Sequence, residues 1–530
     1  MTDNGSGRVL ELTVNGHLHQ VPDRGDTLLG VLRDDLGLAG AKDGCSPQGQ
    51  CGCCTVLVDG QPRVACVTPA RRVRGRSIKT IEGLSDDRSS AWGAALCATG
   101  GSQCGFCTPG IVLRLEASLE KLDPDVGEEE AKAAADQALL AHLCRCTGWQ
   151  TVTDAFQLVR RCSAADVPEM TPARAERIRL EGGVSQEMSL ASALGQGGFA
   201  ADTAPRSALI AVMDSEGQWC VGERLQDARQ IAGKIQGRRT TMEHHYPIPV
   251  PDGDFVATLQ TTWTDPAYLE TDASWCEPGG DPATALGNGG AFGAKTGAEV
   301  EQAARELANR HGRAVLALYS REDVMRRASK RPPLAAGIRA DGSGAVSVAL
   351  TQGAADLVEV RAPGFECAEV QIPGPPTSLS IRAAVWAELA ILQSALQDHE
   401  SPITITAPTG GVATAFGGPD GIQISVSAGA SLDEIALRSY CVGAAHMGWS
   451  WVTSEAMTTD ASGEIHDLTL RSLGVVRAGD TPPIRVQIID DPWAEPVNGS
   501  DAVFAAAAAL AWRSSGFVSR WPVGLLSSSG

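Results

Sequence analysis

The sequence is poor in basic residues relative to acidic ones. It has 44 Lys and Arg residues against 63 Asp and Glu residues, which gives a formal net charge of −19. Nucleic acids and anionic membrane surfaces attract proteins with a basic face, so we expect neither as a partner. The chain also lacks any apolar run near the ~20 residues that a membrane-spanning helix requires, and no span is predicted.

The start of the chain lacks the features of a secretory signal. Residues 1–5 contain neither a basic segment nor a hydrophobic one. We therefore predict a cytoplasmic protein with reduced thiols and no disulfide bonds. Internal repeats and a flavin-binding stretch are also missing. At 530 residues with 43% hydrophobic content, the chain is long enough for three or more domains.

Cysteine, in contrast, is abundant. Most of the 15 cysteines lie in two groups near the N-terminus. The first group begins in a glycine-rich loop, and the second consists of two close pairs that are far apart in sequence. The groups are Cys45, Cys51, Cys54 and Cys66, and Cys104, Cys107, Cys144 and Cys146.

The first group has nearly the spacing of a plant-type [2Fe–2S] loop, which is C-x4-C-x2-C with a fourth cysteine further along. One extra residue separates Cys45 from Cys51, in a Ser-Pro-Gln-Gly stretch that favours a wider turn. Cys53 and Cys54 compete for the third ligand position. The two-residue gap favours Cys54, and Cys53 remains the alternative.

The second group can form a four-thiolate site only if the chain between its pairs folds back. Thr108 and Pro109 are typical of a helix start, 123–125 breaks the helix, and 128–143 is rich in helix-forming residues. The sequence therefore predicts a helical hairpin that brings the two pairs together. Structural zinc is the alternative metal, but zinc does not account for a plant-type loop followed by a second group.

The segments that carry the second group, 103–110 and 143–148, resemble the iron–sulfur subunit of the molybdenum hydroxylases, the family of xanthine dehydrogenase, aldehyde oxidoreductase and aerobic CO dehydrogenase. The resemblance implies an α+β multidomain chain with two [2Fe–2S] clusters. A β-grasp ferredoxin domain would occupy 1–83, and a four-helix [2Fe–2S] domain would occupy 84–163. Gln103 would contact the molybdopterin cofactor.

The C-terminal half resembles the large subunit of the same family in pieces. A low-complexity stretch at 164–205 is predicted to be a linker, and 206–530 would be a mixed α/β, shortened molybdopterin-binding domain. The resemblance assigns cofactor contact to Gly290, Phe292 and Gly293. The alternative for this glycine-rich stretch is an ordinary tight turn.

The large subunit's catalytic base has no clear counterpart. In the family it is a glutamate near the C-terminus, and Ser500 occupies the matching position. A serine hydroxyl is too weak a base near neutral pH to replace it. Asp501 and Glu495 are the remaining candidates, and the alternative is that Ser500 or Asp501 caps the following helix.

The resemblance favours an oxidoreductase component. It would pass electrons from a molybdopterin site, on this chain or on a partner, through two [2Fe–2S] clusters to a flavin or ferredoxin. Partner subunits that bind molybdopterin or FAD are expected, and FAD would be reached only through a partner. The alternatives are a complete compact hydroxylase of a heterocycle or aldehyde, and a non-redox scaffold or assembly protein with structural clusters.

Overall fold

A computed structural model describes residues 9–161, 166–234, 237, 240, 242–283, 290–418 and 421–525. The strands in these ranges are β1 (Val9–Val14), β2 (His17–Pro22), β3 (Thr55–Val58), β4 (Gln61–Val64), β5 (Ser77–Lys79), β6 (Leu209–Met213), β7 (Trp219–Gly222), β8 (Ala257–Gln260), β9 (Ala273–Cys276), β10 (Val315–Leu318), β11 (Leu334–Ile338), β12 (Gly344–Ala349), β13 (Phe365–Val370), β14 (Ile403–Thr406), β15 (Val412–Gly418), β16 (Gly421–Ser427) and β17 (Ile484–Ile489).

Helices occur throughout the described chain. They are α1 (Leu28–Gly30), α2 (Asp86–Thr99), α3 (Thr108–Leu119), α4 (Glu128–Leu139), α5 (Gln150–Arg160), α6 (Pro172–Gly182), α7 (Leu190–Ala193), α8 (Ala200–Thr203), α9 (Leu225–Ala232), α10 (Ala298–His311), α11 (Arg321–Arg327), α12 (Ala354–Arg361), α13 (Trp386–Ser394), α14 (Glu434–Thr453) and α15 (Ser500–Ser514). In the described ranges, none of them is both long enough and apolar enough to cross a membrane.

The N-terminal sheet has five strands in the order β2-β1-β5-β3-β4. Strand β1 is antiparallel to β2 and parallel to β5. Leu10, Leu12 and Val14 face the core, because alternate side chains of a strand lie on one side of the sheet. Helix α1 continues into a π-helical turn at Val31–Asp35.

Helices α2 to α5 follow the sheet, and α3 and α4 form the predicted hairpin. Helix α3 has Cys107 as its N-cap residue, so it begins one residue before the position predicted for it. Helix α4 ends at Leu139, short of the predicted end at residue 143. The chain leaves the helix there because the backbone N–H of Leu143 donates to the carbonyl of Cys51 at 3.0 Å.

The segment predicted to be a linker, 164–205, contains three helices, α6 to α8. Residues 164 and 165 lie outside the described ranges. Helix α6 starts after Thr171, whose side chain accepts from the N–H of Arg174. Arg177 is fully buried, pairs with Glu181 at 2.9 Å and donates to the carbonyl of Val497 at 2.7 Å. The segment is thus packed against the C-terminal half. The linker prediction is wrong because the charged side chains of Arg177 and Glu181 pair inside the protein and do not face solvent.

Three four-stranded sheets form the C-terminal half. Their strand orders are β7-β6-β10-β9, β13-β12-β11-β8 and β14-β15-β16-β17. Strands β6 and β7 pair antiparallel and form a hairpin around Gly217. Helices α14 and α15 pack closely against each other and against the third sheet, where they enclose the largest apolar core of this half.

Helix α14 is the central element of the C-terminal half. The side chain of Asp433 caps its start and accepts from the N–H of Ala436 at 2.7 Å. The helix continues to Thr453. One of its glycines, Gly448, lies against α15, where a Cβ would be 2.1 Å from the carbonyl oxygen of Phe504.

Gly443 of α14 lies against the loop of the second cysteine group, and it generates a stability prediction. In an exposed helix, Gly→Ala stabilises by about 1 kcal/mol. A Cβ at Gly443 would instead lie 1.8 Å from the carbonyl oxygen of Cys146. We expect Gly443→Ala to destabilise the protein by ~2 kcal/mol, since overpacking forces the backbone apart.

Chemical denaturation of the two variants Gly443→Ala and Gly364→Ala tests this expectation. A Cβ at Gly364 would come no closer than 3.6 Å to any neighbour, so that variant should match the wild type within about 0.5 kcal/mol. Equal stability of both variants would contradict the close contact between α14 and the cysteine loop.

Candidate functional site

The structure brings the four cysteines of the first group together. Cys45, Cys51 and Cys54 lie in the loop before β3, and Cys66 comes from the turn after β4. All four are buried. The thiol of Cys45 contacts those of Cys51 and Cys66, and the thiol of Cys66 also contacts that of Cys54.

Backbone donors surround these thiols. The N–H groups of Gln48 and Gln50 donate to Sγ of Cys45 at 3.2 and 3.4 Å. The N–H of Cys66 donates to Sγ of Cys54 at 3.4 Å. Hydrogen bonds from Cys51, Cys66 and the backbone hold the pKa of the Cys45 thiol well below its usual value. Such donors stabilise thiolate charge and tune any metal group that the thiolates hold.

Cys53 has a different position from Cys54. It is completely buried and contacts the thiol of Cys51. The hydrogen bond with Cys51 lowers the pKa of the Cys53 thiol, but burial and the charges of nearby cysteines, including Cys144 of the second group, raise it overall. Contact with Cys66 is made by Cys54. Cys53 therefore lies on the side of the first group that faces the second group.

The second group is assembled from the loops at the two ends of the α3–α4 hairpin. The thiol of Cys144 contacts those of Cys107 and Cys146, and Sγ of Cys146 lies 3.7 Å from Sγ of Cys104. Hydrogen bonds from Cys107, Cys146 and Thr147 keep the pKa of the Cys144 thiol well below its usual value. Cys104 is partly exposed, whereas the other three cysteines are buried.

The two groups are next to each other. A Cβ at Gly110, in the first turn of α3, would lie 2.3 Å from the carbonyl oxygen of Gly52 in the first loop. The imidazole of His142 packs on Gly52 and lies 3.2 Å from the hydroxyl of Thr55. Burial lowers the pKa of His142 to about 3, so its ring is neutral near pH 7. The loops of the two groups therefore share one buried contact region.

The donor chemistry of both groups suits [2Fe–2S] clusters. The described part of the chain contains no three His, Cys, Asp or Glu side chains arranged to hold one metal ion. A [2Fe–2S] cluster is held differently, by four thiolates divided between two irons. Each group offers four neighbouring thiols with N–H or hydroxyl donors beside them, which fits such a cluster.

Two of the predicted cofactor-binding residues lie beside the second group. The side-chain amide of Gln103 donates to the carbonyl of Cys146 at 3.0 Å and to Ser439 of α14 at 2.9 Å. Its Oε1 is buried and has no hydrogen-bond partner within the described ranges. A Cβ at Gly290 would lie 3.3 Å from Sγ of Cys146. The C-terminal half therefore contacts the second group directly.

The other two predicted residues, Phe292 and Gly293, are held by the segment around Arg382. The carbonyl of Phe292 accepts from the N–H of Arg382 at 2.9 Å, and the guanidinium of Arg382 lies 4.0 Å from the Phe292 ring centroid. Gly293 has φ +91°, and a Cβ there would lie 1.7 Å from the carbonyl oxygen of Ser380. Close backbone packing thus explains why position 293 requires glycine, without any contact with a cofactor.

A small cavity of about 30 Å³ lies between the glycine-rich stretch and α14. Three arginines line it, and each is paired with a carboxylate. Arg145 pairs with Glu455 at 2.6 Å, Arg331 with Glu388 at 3.0 Å, and Arg382 with Asp501 at 3.0 Å. One water needs roughly 10–15 Å³, so the cavity holds about two waters. The described residues therefore do not fit molybdopterin, which is far larger.

The candidate bases do not face this cavity as free carboxylates. Asp501 is ion-paired with Arg382, and burial raises its pKa. Glu495 is exposed and does not line the cavity. The hydroxyl of Ser500 accepts from Arg382 at 2.9 Å. The prediction that Ser500 or Asp501 caps α15 is wrong, since the N-cap is Gly499 and the Asp501 N–H donates to Asn498.

Sequence reasoning missed Glu181 and Glu455. Glu181 accepts from the N–H groups of Gly499 and Ser500 at the start of α15. Glu455 lies just after α14 and closes one wall of the cavity through Arg145. Glu181 belongs to the predicted linker, and no local pattern marked either residue.

Comparison with known proteins agrees with these features. Residues 80–157, which include the second group, match the family described as [2Fe-2S] binding domain. The chain is 37% identical to the nicotinate dehydrogenase small FeS subunit of Eubacterium barkeri over 157 residues, 29% of this chain and 96% of the relative. It is 41% identical to the nicotine 6-hydroxylase small subunit of Paenarthrobacter nicotinovorans over 156 residues, 29% of this chain and 91% of that one.

A solved structure resembles the whole chain. The aldehyde oxidoreductase of Desulfovibrio gigas superposes with a TM-score of 0.70 at 14% identity, covering 98% of this chain and 99% of that one. This likeness concerns the fold, and it supports the predicted mixed α/β, multidomain class. Together with the small-subunit relatives, which the chain covers almost completely, it identifies the chain as a member of the molybdenum hydroxylase family of oxidoreductases.

Proposed function

We propose that this chain is a two-cluster electron-transfer component of a molybdenum hydroxylase. The first cluster would be held by Cys45, Cys51, Cys54 and Cys66, and the second by Cys104, Cys107, Cys144 and Cys146. Clusters of this kind accept and release single electrons at potentials set by their surroundings. The observation that carries the proposal is that two four-thiol groups, buried except for Cys104, share one contact region.

The exposure of the cysteines suggests the direction of the path. Cys104 is partly exposed in the second group, which gives electrons a point of entry. In the first group, Cys66 lines a surface groove with Leu29 and Pro47, and the neighbouring Val67 is half exposed. We place the exit there, toward a flavin or ferredoxin on another chain.

The electron donor belongs on a partner chain in this proposal. The cavity beside the second group is lined by the ion pairs of Arg145, Arg331 and Arg382. Asp501 is the carboxylate that pairs with Arg382. A cofactor of molybdopterin size would have to break these buried pairs, and each broken pair leaves an uncompensated charge at a cost of about 3–5 kcal/mol. The C-terminal half would then cover the clusters and dock the partner that holds molybdopterin.

Cys53 and Cys54 provide a direct test of the ligand assignment. We expect Cys54→Ser to remove about half of the iron, because it breaks one of two four-thiolate sites. The control is Cys53→Ala, which should keep the iron content of the wild type. Cys53 contacts Cys51, but the contact with Cys66 that completes the four-thiol group is made by Cys54. Iron analysis and EPR of the reduced variants measure the number of clusters. Loss of iron in Cys53→Ala, with wild-type iron in Cys54→Ser, would assign the ligand to Cys53.

The electron-transfer role is tested by anaerobic titration of the full chain with dithionite. Two clusters that each accept one electron should take up about two electrons per chain, and Cys54→Ser should take up about one. Clusters that dithionite cannot reduce would contradict the proposal and favour a structural role. Uptake beyond two electrons with a molybdenum EPR signal would favour the compact hydroxylase instead.

A further inference from the structure

A buried arginine of the C-terminal half lies beside the first cysteine group. Arg321 is the first residue of α11, and its side chain is completely buried. Its guanidinium donates to the carbonyl oxygen of Gly44 at 2.5 Å, and to those of Tyr268 and Leu269 at 2.7 and 2.8 Å. Gly44 directly precedes Cys45 in the chain, so these bonds fix a cation next to the cysteine loop.

Gly44 is itself in contact with the thiols. A Cβ at this position would lie 3.1 Å from Sγ of Cys53 and 3.2 Å from Sγ of Cys51. The guanidinium of Arg321 therefore touches a residue whose backbone packs directly on the first group. Only that one residue separates the positive charge from the thiols.

Arg321 differs from the other cations around this loop because it has no anionic partner among the described residues. Lys42 is paired with Asp202, and Arg229 is paired with Asp43 at 2.8 Å. For Arg321, no Asp or Glu oxygen belonging to the described ranges lies within 4.0 Å. Its Nε is also buried without a hydrogen-bond partner within these ranges. A buried cation with no counterion is costly unless a negative group lies nearby.

We propose that Arg321 sets the reduction potential of the first cluster through its charge. The inference rests on the proposed assignment of that cluster to Cys45, Cys51, Cys54 and Cys66. Four thiolates and two sulfides give the cluster a negative charge, and reduction by one electron makes it more negative by one unit. A cation fixed in a low-dielectric interior favours the more negative state, so Arg321 raises the potential.

The proposal gives a function to the Ser320–Asp323 stretch. Ser320 and Asp323 form a capping box that fixes the start of α11, where the hydroxyl of Ser320 accepts from the N–H of Asp323. Asp323 also pairs with Lys234. The rigid helix start holds Arg321 against Gly44, so the C-terminal half acts on the electrostatics of the N-terminal cluster.

The test is an anaerobic redox titration of the full chain, monitored by EPR, with dithionite as reductant. Arg321→Gln keeps donor groups but removes the charge, and it should shift the first cluster to a more negative midpoint potential, with a smaller shift at the second cluster. Arg321→Lys keeps the charge but cannot reach all three carbonyls, and it should give an intermediate shift. Arg327→Gln is the matched control on the same helix, because its partly exposed charge is screened by water.

An unchanged first midpoint in Arg321→Gln, with both EPR signals intact, would overturn the proposal and leave Arg321 as a purely structural contact. If the Gln variant fails to assemble its clusters, Arg321→Met decides, because it is also uncharged and fills a similar volume, and a wild-type midpoint in that variant would overturn the proposal. If the proposed electron-transfer function itself is wrong, the wild-type protein will lack two reducible iron signals. That result is distinct from an unchanged midpoint potential in the Arg321 variant.

Discussion

The contact between α14 and the second cysteine loop is the constraint on which the other features depend. The backbone at Gly443 approaches the carbonyl of Cys146 so closely that no side chain fits between them. Gln103 reinforces this contact by donating both to Cys146 and to Ser439 of α14. Because α14 also packs on α15 and α6, the loop of the second group is tied to the core of the C-terminal half.

Buried ion pairs explain why the cavity beside the second cysteine group is small. Arg145, Arg331 and Arg382 converge on one small cavity, and each is neutralised by a carboxylate of this chain. Pairs of this kind contribute little net stability, yet breaking one leaves a buried charge. The cavity is therefore stable in its closed form. Arg321, which is paired with no carboxylate in the described part of the chain, lies instead beside the first thiol group.

Sequence reasoning anticipated the features that are local. The spacing of the cysteines and the helix signals at Thr108 and Pro109 depend on neighbours in the chain, and the structure contains the corresponding hairpin of α3 and α4. The linker prediction failed because Arg177 and Glu181 satisfy each other inside the protein. Their charges made a buried helix look like a solvated segment.

The ion pairs at the cavity could not be predicted from the sequence for a different reason. Arg382 meets Ser500 and Asp501 only because three distant segments fold together, and no periodicity in the sequence marks that meeting. The expectation that Ser500 or Asp501 caps a helix was reasonable from local preference, but tertiary contacts at Glu181 and Arg382 took precedence. Similarly, the positions of Gly290 and Gly293 reflect close packing that a motif alone does not distinguish from cofactor contact.

The central claim is that this chain holds two iron–sulfur clusters and leaves molybdopterin to a partner. The most direct measurement is the iron and molybdenum content of the chain, purified without oxygen from a host that makes the cofactor. The account predicts roughly four irons per chain and no molybdenum. About one molybdenum per chain would contradict the assignment of molybdopterin to a partner, and zinc in place of iron would contradict the whole account.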